Sequence, residues 1–288
     1  MSVEAAASVM CNLVKGETFF VGRNGTIELE TLLFYMKNRG TGEAYPKHML
    51  DRLERHAGVW PATLASVDAW AKEYVNSLYL LDAAAAGWFK PLANDELEMM
   101  AKLAPQATLM PLRALEPYYV EPPLRWSAAL AGKKVAVVTS FAVTAQGQIG
   151  KRLWDAQESL LPPTTEWSFI RSGYCPSVAG AAPCGWPEGI NSWQAAVEHL
   201  VDAVRFTGAS VALIGCGGIG MLVAARLRRI GVSAIVMGGA VQVLFGIRGR
   251  RWQTHPVIGD FWTYDWVAPS EEETPDAARS IEGGCYWA

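Results

Sequence analysis

The chain has no CxxC pair, no grouping of its histidines, no basic segment at its N-terminus and no apolar run long enough to cross a membrane. Each absence removes a class of protein. Five cysteines, at 11, 175, 184, 216 and 285, and four scattered histidines, at 48, 56, 199 and 255, give neither a zinc pattern nor a disulfide framework. Reduced thiols in a cytoplasmic protein are the expectation. The opening Met-Ser-Val-Glu-Ala-Ala-Ala lacks the basic residues of a secretory signal. The apolar runs 211–225 and 233–247 are broken by glycine and fall short of the ~20 residues a membrane-spanning helix needs. A formal net charge of −3, spread over mixed charges, argues against a dedicated nucleic-acid binder.

The most local absence is of acid. Between Asp202 and Asp260 there is no aspartate or glutamate, while seven arginines stand at 205, 226, 228, 229, 248, 250 and 251. That span is expected to be electropositive. It also holds the apolar run 210–214 followed by Gly215, Gly217, Gly218 and Gly220, a strand entering a glycine turn and then a helix. Exposed backbone N–H groups at such a turn favour an anionic ligand such as a phosphate.

What is present in quantity is core material. At 288 residues and 51% hydrophobic the chain can bury a sizeable interior. Most of its twelve tryptophans are expected in packing, with a minority offering flat faces to a sugar or a base.

Strand-like runs fall at 18–21, 134–140, 167–170, 211–214 and 234–237. Helices are expected at 26–37, 62–88, 95–103 (opened by a capping box from Asp95 to Glu98), 145–160, from Ser192 onward, and 218–230. Alternating strands and helices imply a mostly parallel sheet with helices on both faces, an α/β Rossmann-like fold with a helix-rich N-terminal half. The Pro-rich stretch 116–123 reads as a linker, but too few strands precede it for a separate sheet. One domain over residues 1–288 is expected, its first strand joining the later ones.

Gly215, Gly217 and Gly220 match the GxGxxG spacing of dinucleotide sites, so an NAD(P)-dependent oxidoreductase is one reading. That fingerprint also calls for a carboxylate about 20 residues on, at the end of the next strand. Here that strand ends in Met237-Gly238-Gly239, and no acid precedes Asp260. The same gap weighs against an S-adenosylmethionine site. A second glycine turn, followed by glycines alternating with arginines up to Trp252, favours close backbone approach to phosphate oxygens.

Arg23-Asn-Gly25-Thr-Ile-Glu28, placed after the first strand, resembles the Arg-x-Gly-Asp-x-Glu element of glycosyltransferases with the GT-D fold. The Gly215–Gly220 loop, the run from Gly238 to Trp252 and the ending Glu282-Gly-Gly-Cys-Tyr-Trp287 are similar to a GT-D-related group of sugar-transfer proteins. The resemblance implies a single Rossmann-like domain and transfer of a hexose or pentose. The donor is a nucleotide-diphosphate sugar such as a UDP-sugar, the acceptor a hydroxyl of a glycan or glycoprotein. It also implies Mg²⁺ or Mn²⁺ at an Asp-x-Glu pair. Thr26 stands where that aspartate belongs, and one carboxylate is a poor site for a cation that prefers several hard oxygen ligands. Metal-independent binding, with arginines offsetting the diphosphate charge, is the alternative.

On this reading Glu28 is the candidate base, with Asp82 as a second. Donor contacts fall to Arg23, Gly25, Thr26, Ser140, Gln148, Gly215, Gly217, Gly218, Gly239, Gln242, Arg248 and Arg251. A non-catalytic nucleotide- or glycan-binding module is the remaining reading.

Overall fold

The computed structural model describes residues 1–180 and 185–287, so Cys184 lies outside the described residues. Among these, the strands are β1 (Phe20–Arg23), β2 (Ala83–Ala85), β3 (Thr108–Met110), β4 (Lys134–Thr139), β5 (Glu166–Arg171), β6 (Val211–Gly215) and β7 (Ser233–Val236). They form one seven-stranded sheet in the order β3-β2-β1-β7-β6-β4-β5, with every neighbouring pair parallel. The first strand therefore does join the last, Phe20 pairing with Ala234 and Val21 with Ile235. Strands from both sides of the Pro-rich stretch share this sheet.

Every residue of β7, and all of β6 except its last, is buried. Consecutive buried residues point to opposite faces, so both faces of the central sheet are covered. The cover comes from helices whose ends follow local chemistry. α1 (Val3–Lys15) is capped by the Ser2 hydroxyl, which accepts from Ala5 N–H. α2 (Thr26–Asn38) and α3 (Lys47–Arg55) follow β1, and α4 (Leu64–Leu78) starts at Thr63, whose hydroxyl accepts from Ser66 N–H. α5 (Ala93–Leu103) and the short α6 (Leu112–Leu115), α7 (Ala142–Gly147) and α8 (Pro176–Ala179) follow in order. α9 (Trp193–Thr207) has Ser192 as its N-cap and Gly208 in the left-handed region as its stop; Trp193, Val197, Leu200 and Val204 are buried, the stripe their spacing dictates. α10 (Gly220–Arg229) precedes β7, and α11 (Ala240–Leu244) and α12 (Arg250–Gln253) follow it. No helix among the described residues is long and apolar enough to cross a membrane.

Three local expectations fail. The helix expected over 62–88 stops at Leu78, and Ala83–Ala85 become β2. Alanine carries no strand preference of its own, and pairing with β1 and β3 on either side decides the matter. Asp95 is no N-cap, because α5 begins earlier with Leu92 in that position; Asp95 lies in the first turn instead. The helix over 145–160 is reduced to α7, which ends at Gly147; Gly150 beyond it sits at φ 84, outside helical geometry.

Candidate functional site

The C-terminal ends of all seven strands open onto one cavity of about 740 Å³. β1 contributes residues 23 and 25–28, β2 leads to Trp88, and β3 to Leu112 and Glu116. β4 leads to Ser140, β5 to Ser172 and Tyr174, β6 to Cys216 and Gly217, and β7 to residues 237–240. Arg251 and Trp252 from α12, with Glu282, Tyr286 and Trp287 from the C-terminal segment, wall the remaining side. The chain leaves β4 toward one sheet edge and β6 toward the other, so the mouth lies beside a topological switch point. Parallel sheets bind ligands at such points.

Arg23 is the electrostatic centre of this cavity. Its guanidinium lies 5.1 Å from the centroid of Trp88 and packs against Gly238 so closely that a Cβ there would collide with it. Gly238 has φ 59, so both its conformation and its lack of a side chain serve this approach. Among the described residues no carboxylate comes within ion-pair distance of Arg23, although its charge acts on Glu28, Glu96, Glu116 and Tyr118. The turn carrying it is fixed from below. Glu96, fully buried, accepts from Asn24 Nδ2 and from Gly87 N–H, both at 2.8 Å, and the Tyr74 hydroxyl donates to Asn24 Oδ1 at 3.2 Å. One network thus ties the exit of β1, bearing Arg23, to the exit of β2, bearing Trp88.

The acids of the cavity differ in their surroundings. Glu28 is buried in the first turn of α2, its carboxylate folded back over Gly25. Burial raises its pKa, while a bond to its own backbone N–H and the Arg23 charge work in the other direction. Glu116 is half-buried, and desolvation pushes its pKa up to about 7 against the opposing pull of Arg23 and Arg113. Glu282 pairs with Arg251 and holds a left-handed backbone, φ 45, while its N–H donates to His56 Nδ1 at 3.1 Å. Burial lowers the His56 pKa, so the ring is held in its neutral form, with the proton on Nε2. The Cys216 thiol is pushed up to about 12 and that of Cys285 to about 11, chiefly by burial, which leaves both protonated and weak as nucleophiles.

No protein-family model, curated protein or solved structure matches this chain.

Of the residues expected from sequence, the cavity gathers Arg23, Gly25, Thr26, Glu28, Ser140, Gly215, Gly217, Gly239, Gln242 and Arg251. Ser140 shares a hydrogen bond with Ser172 at 3.0 Å, and Gln242 Nε2 is spent on the carbonyls of Arg248 and Tyr286. Four residues lie elsewhere. Asp82 sits at the opposite, N-terminal end of the strands, just before β2, where it accepts from Phe20 N–H at 2.7 Å and pairs with Arg228 at 3.3 Å. Gln148 is fully buried and bonds the carbonyls of Gly246 and Asp265. Arg248 points to Thr263 O and the ring of Trp262. Gly218 faces protein: its N–H donates to Ala57 O at 2.7 Å, and its carbonyl accepts from Trp70 Nε1 at 2.9 Å.

On the side of Gly217 and Gly218 the glycine turn after β6 is thus covered by the chain itself. A Cβ on Gly217 would stand 2.5 Å from Ala57 O, at a left-handed φ of 62. The close approach that a dinucleotide would need is made here by residues 57–59.

The electropositive span is in part matched in three dimensions, although Arg229, Arg248 and Arg250 make no ion pair among the described residues. Arg205 pairs with Asp202, Arg226 with Glu73 and Glu198, Arg228 with Asp82 and Arg251 with Glu282. Charge counted along the chain ignores acids that arrive from other elements. Among the described residues two arginines of the cavity make no ion pair: Arg23 from β1, and Arg55 from α3, which donates to Ser280 Oγ at 3.1 Å.

Arg52, Arg55 and His56, at the end of α3, and Glu116 and Tyr118 also line the cavity without having been singled out in the sequence. The Arg52-Leu-Glu-Arg-His56 pattern at a helix end could have flagged the first group.

Among the described residues no set of three or more His, Cys, Asp or Glu is grouped to hold a metal ion. At the β1 exit Thr26 and one folded-back carboxylate face Arg23, and the nearby Glu282 and Glu96 are committed to Arg251 and to Asn24 and Gly87. That donor set does not fit Mg²⁺ or Mn²⁺.

Proposed function

We propose that the chain is a glycosyltransferase that takes a nucleotide-diphosphate sugar as donor and a hydroxyl of a glycan or glycoprotein as acceptor. The observation that carries this reading is Arg23, a guanidinium without a carboxylate partner among the described residues, held over the Gly238 backbone at the mouth of the parallel sheet. An arginine fork matches two phosphate oxygens at once, and the first turn of α2, thirteen residues long, points its positive end into the same cavity. A diphosphate placed there is neutralised by fixed protein charge, which is what a departing nucleoside diphosphate requires. Trp88, Trp252 and Tyr286 supply flat faces for base and sugar, and the volume is ordinary for a site of that size.

The test is incubation of the protein with UDP-, GDP- and dTDP-sugars, following release of the nucleoside diphosphate. Saturable release from one donor class supports the reading. Neither release nor thermal stabilisation by any nucleoside diphosphate refutes it. Tight binding with no turnover of any donor points to a non-catalytic module.

A further inference from the structure

We infer that Glu116 is the group that takes the proton from the attacking hydroxyl, a role that rests on the reading of the cavity as a sugar-transfer site. Four observations converge on it.

The carboxylate lines the cavity from the β3 side, while Arg23 stands at the exit of β1, so that acid and cation share one chamber. No ion pair forms between them, and among the described residues Glu116 is not spent on any salt bridge. Glu28, which the motif nominates, is turned back over Gly25 and serves the first turn of α2. Glu282 and Glu96 hold Arg251 and the Asn24–Gly87 network. Among the described residues Glu116 is the cavity carboxylate that is neither folded back on its own helix nor held in an ion pair.

Beside it lies the Tyr118 hydroxyl, buried and without a well-formed hydrogen bond, for which the Glu116 carboxylate is the neighbouring acceptor. A buried hydroxyl in that state is uncommon and calls for a reason. Here the reason is a donor that steadies the carboxylate without consuming it. The charged and titratable groups acting on Glu116 are Arg23 from β1, Arg113 from α6, and Tyr118 and Tyr119 from the turn that follows. With its pKa pushed up to about 7 by desolvation, the carboxyl group titrates where proton transfer at neutral pH is most effective.

The step balances as a single displacement. The acceptor oxygen bonds to the anomeric carbon as the bond from that carbon to the diphosphate oxygen breaks. The electron pair leaves with the nucleoside diphosphate beside Arg23, the acceptor proton passes to a Glu116 Oε, and from there to solvent. The anomeric centre inverts.

The experiment compares the wild-type protein, Glu116→Gln and Tyr118→Phe on the same donor panel with water as acceptor, alongside UDP, GDP and dTDP affinities. Glu116→Gln is expected to lower nucleoside-diphosphate release by roughly 100-fold or more, the usual worth of a general base. Its diphosphate affinity should stay within about threefold, since the carboxylate is not a phosphate ligand. The wild-type rate should rise with pH through about 7, and that limb should vanish in Glu116→Gln. In Tyr118→Phe the limb should move to higher pH, because the lost hydroxyl stabilised the charged form. That profile decides the matter if Glu116→Gln does not fold. A donor that binds and is released by Glu116→Gln at the wild-type rate, with the same limb, overturns the Glu116 assignment alone. Binding of donor without release by the wild type overturns it too. Failure of every nucleotide to bind overturns the sugar-transfer reading and this assignment together.

Discussion

Replacing Arg23 by alanine isolates the charge on which the diphosphate site depends. The side chain makes no ion pair among the described residues, and its packing is the close approach to the Gly238 backbone and a cation–π contact with Trp88 at 5.1 Å. Such a contact is worth about 0.5–1 kcal/mol at a partly exposed site, so the variant should fold with little loss of stability. Binding is another matter. Removing hydrogen bonds to a charged group forfeits about 1.5–3 kcal/mol, which corresponds to roughly a 10- to 150-fold weaker nucleoside diphosphate. Titration calorimetry with UDP, GDP and dTDP on both proteins, at low and at physiological salt, reads this directly. The wild-type affinity should fall as salt rises, and the variant should show a smaller dependence because one cation is gone. Equal affinity and equal salt dependence, in a variant shown by thermal unfolding to be folded, would refute the placement of the diphosphate at Arg23.

Glu96→Ala should destabilise the protein by roughly 2–4 kcal/mol in chemical denaturation, since Asn24 Nδ2 and the Gly87 N–H both lose their acceptor, and it should weaken nucleotide binding by loosening Arg23. Gly217→Ala should lower stability by about 1–3 kcal/mol or more, because alanine must adopt φ 62 and displace Ala57 O; an unchanged melting temperature would contradict the described packing of that turn. Asp82→Asn keeps an acceptor for Phe20 N–H and loses only a half-exposed ion pair with Arg228, so stability should change by no more than about 1 kcal/mol and nucleotide affinity not at all. Glu116 also predicts a pH trend. Its folded-state pKa, about 7, lies above the ordinary 4.5, so the folded state holds its proton more tightly and the stability it contributes is lost as pH rises from about 4.5 through 7. Urea unfolding of Glu116→Gln against the wild type across that window should show the wild type losing ground as pH rises, and parallel curves would contradict the raised value.

The strands most visible in the sequence were those with apolar runs of their own. Lys134–Thr139 and Val211–Gly215 carry enough β-branched and apolar side chains to be read in isolation. Ala83–Ala85 and Thr108–Met110 are three residues each and become strands through their neighbours, which no local pattern records. The site divided in the same way. Arg23 and Glu28 were legible because a strand, a glycine turn and a helix run through them in order. Glu116 and Tyr118 were hidden in a Pro-rich segment that reads as a linker, yet the chain after β3 folds that segment over the cavity. Arg226, Arg228 and Arg251 misled for the opposite reason, since Glu73, Asp82, Glu198 and Glu282 reach them from distant parts of the chain. Sequence shows which charges exist, and only packing shows which of them are already matched.

A crystal structure of the protein with a bound nucleoside diphosphate would show outright which groups hold the phosphates. The diphosphate is expected between the Arg23 guanidinium and the first turn of α2, the base or sugar against Trp88, Trp252 or Tyr286, and Glu116 facing the sugar. Phosphates seated instead at Arg248, on the Gly217 turn or outside the strand-end cavity would contradict that placement.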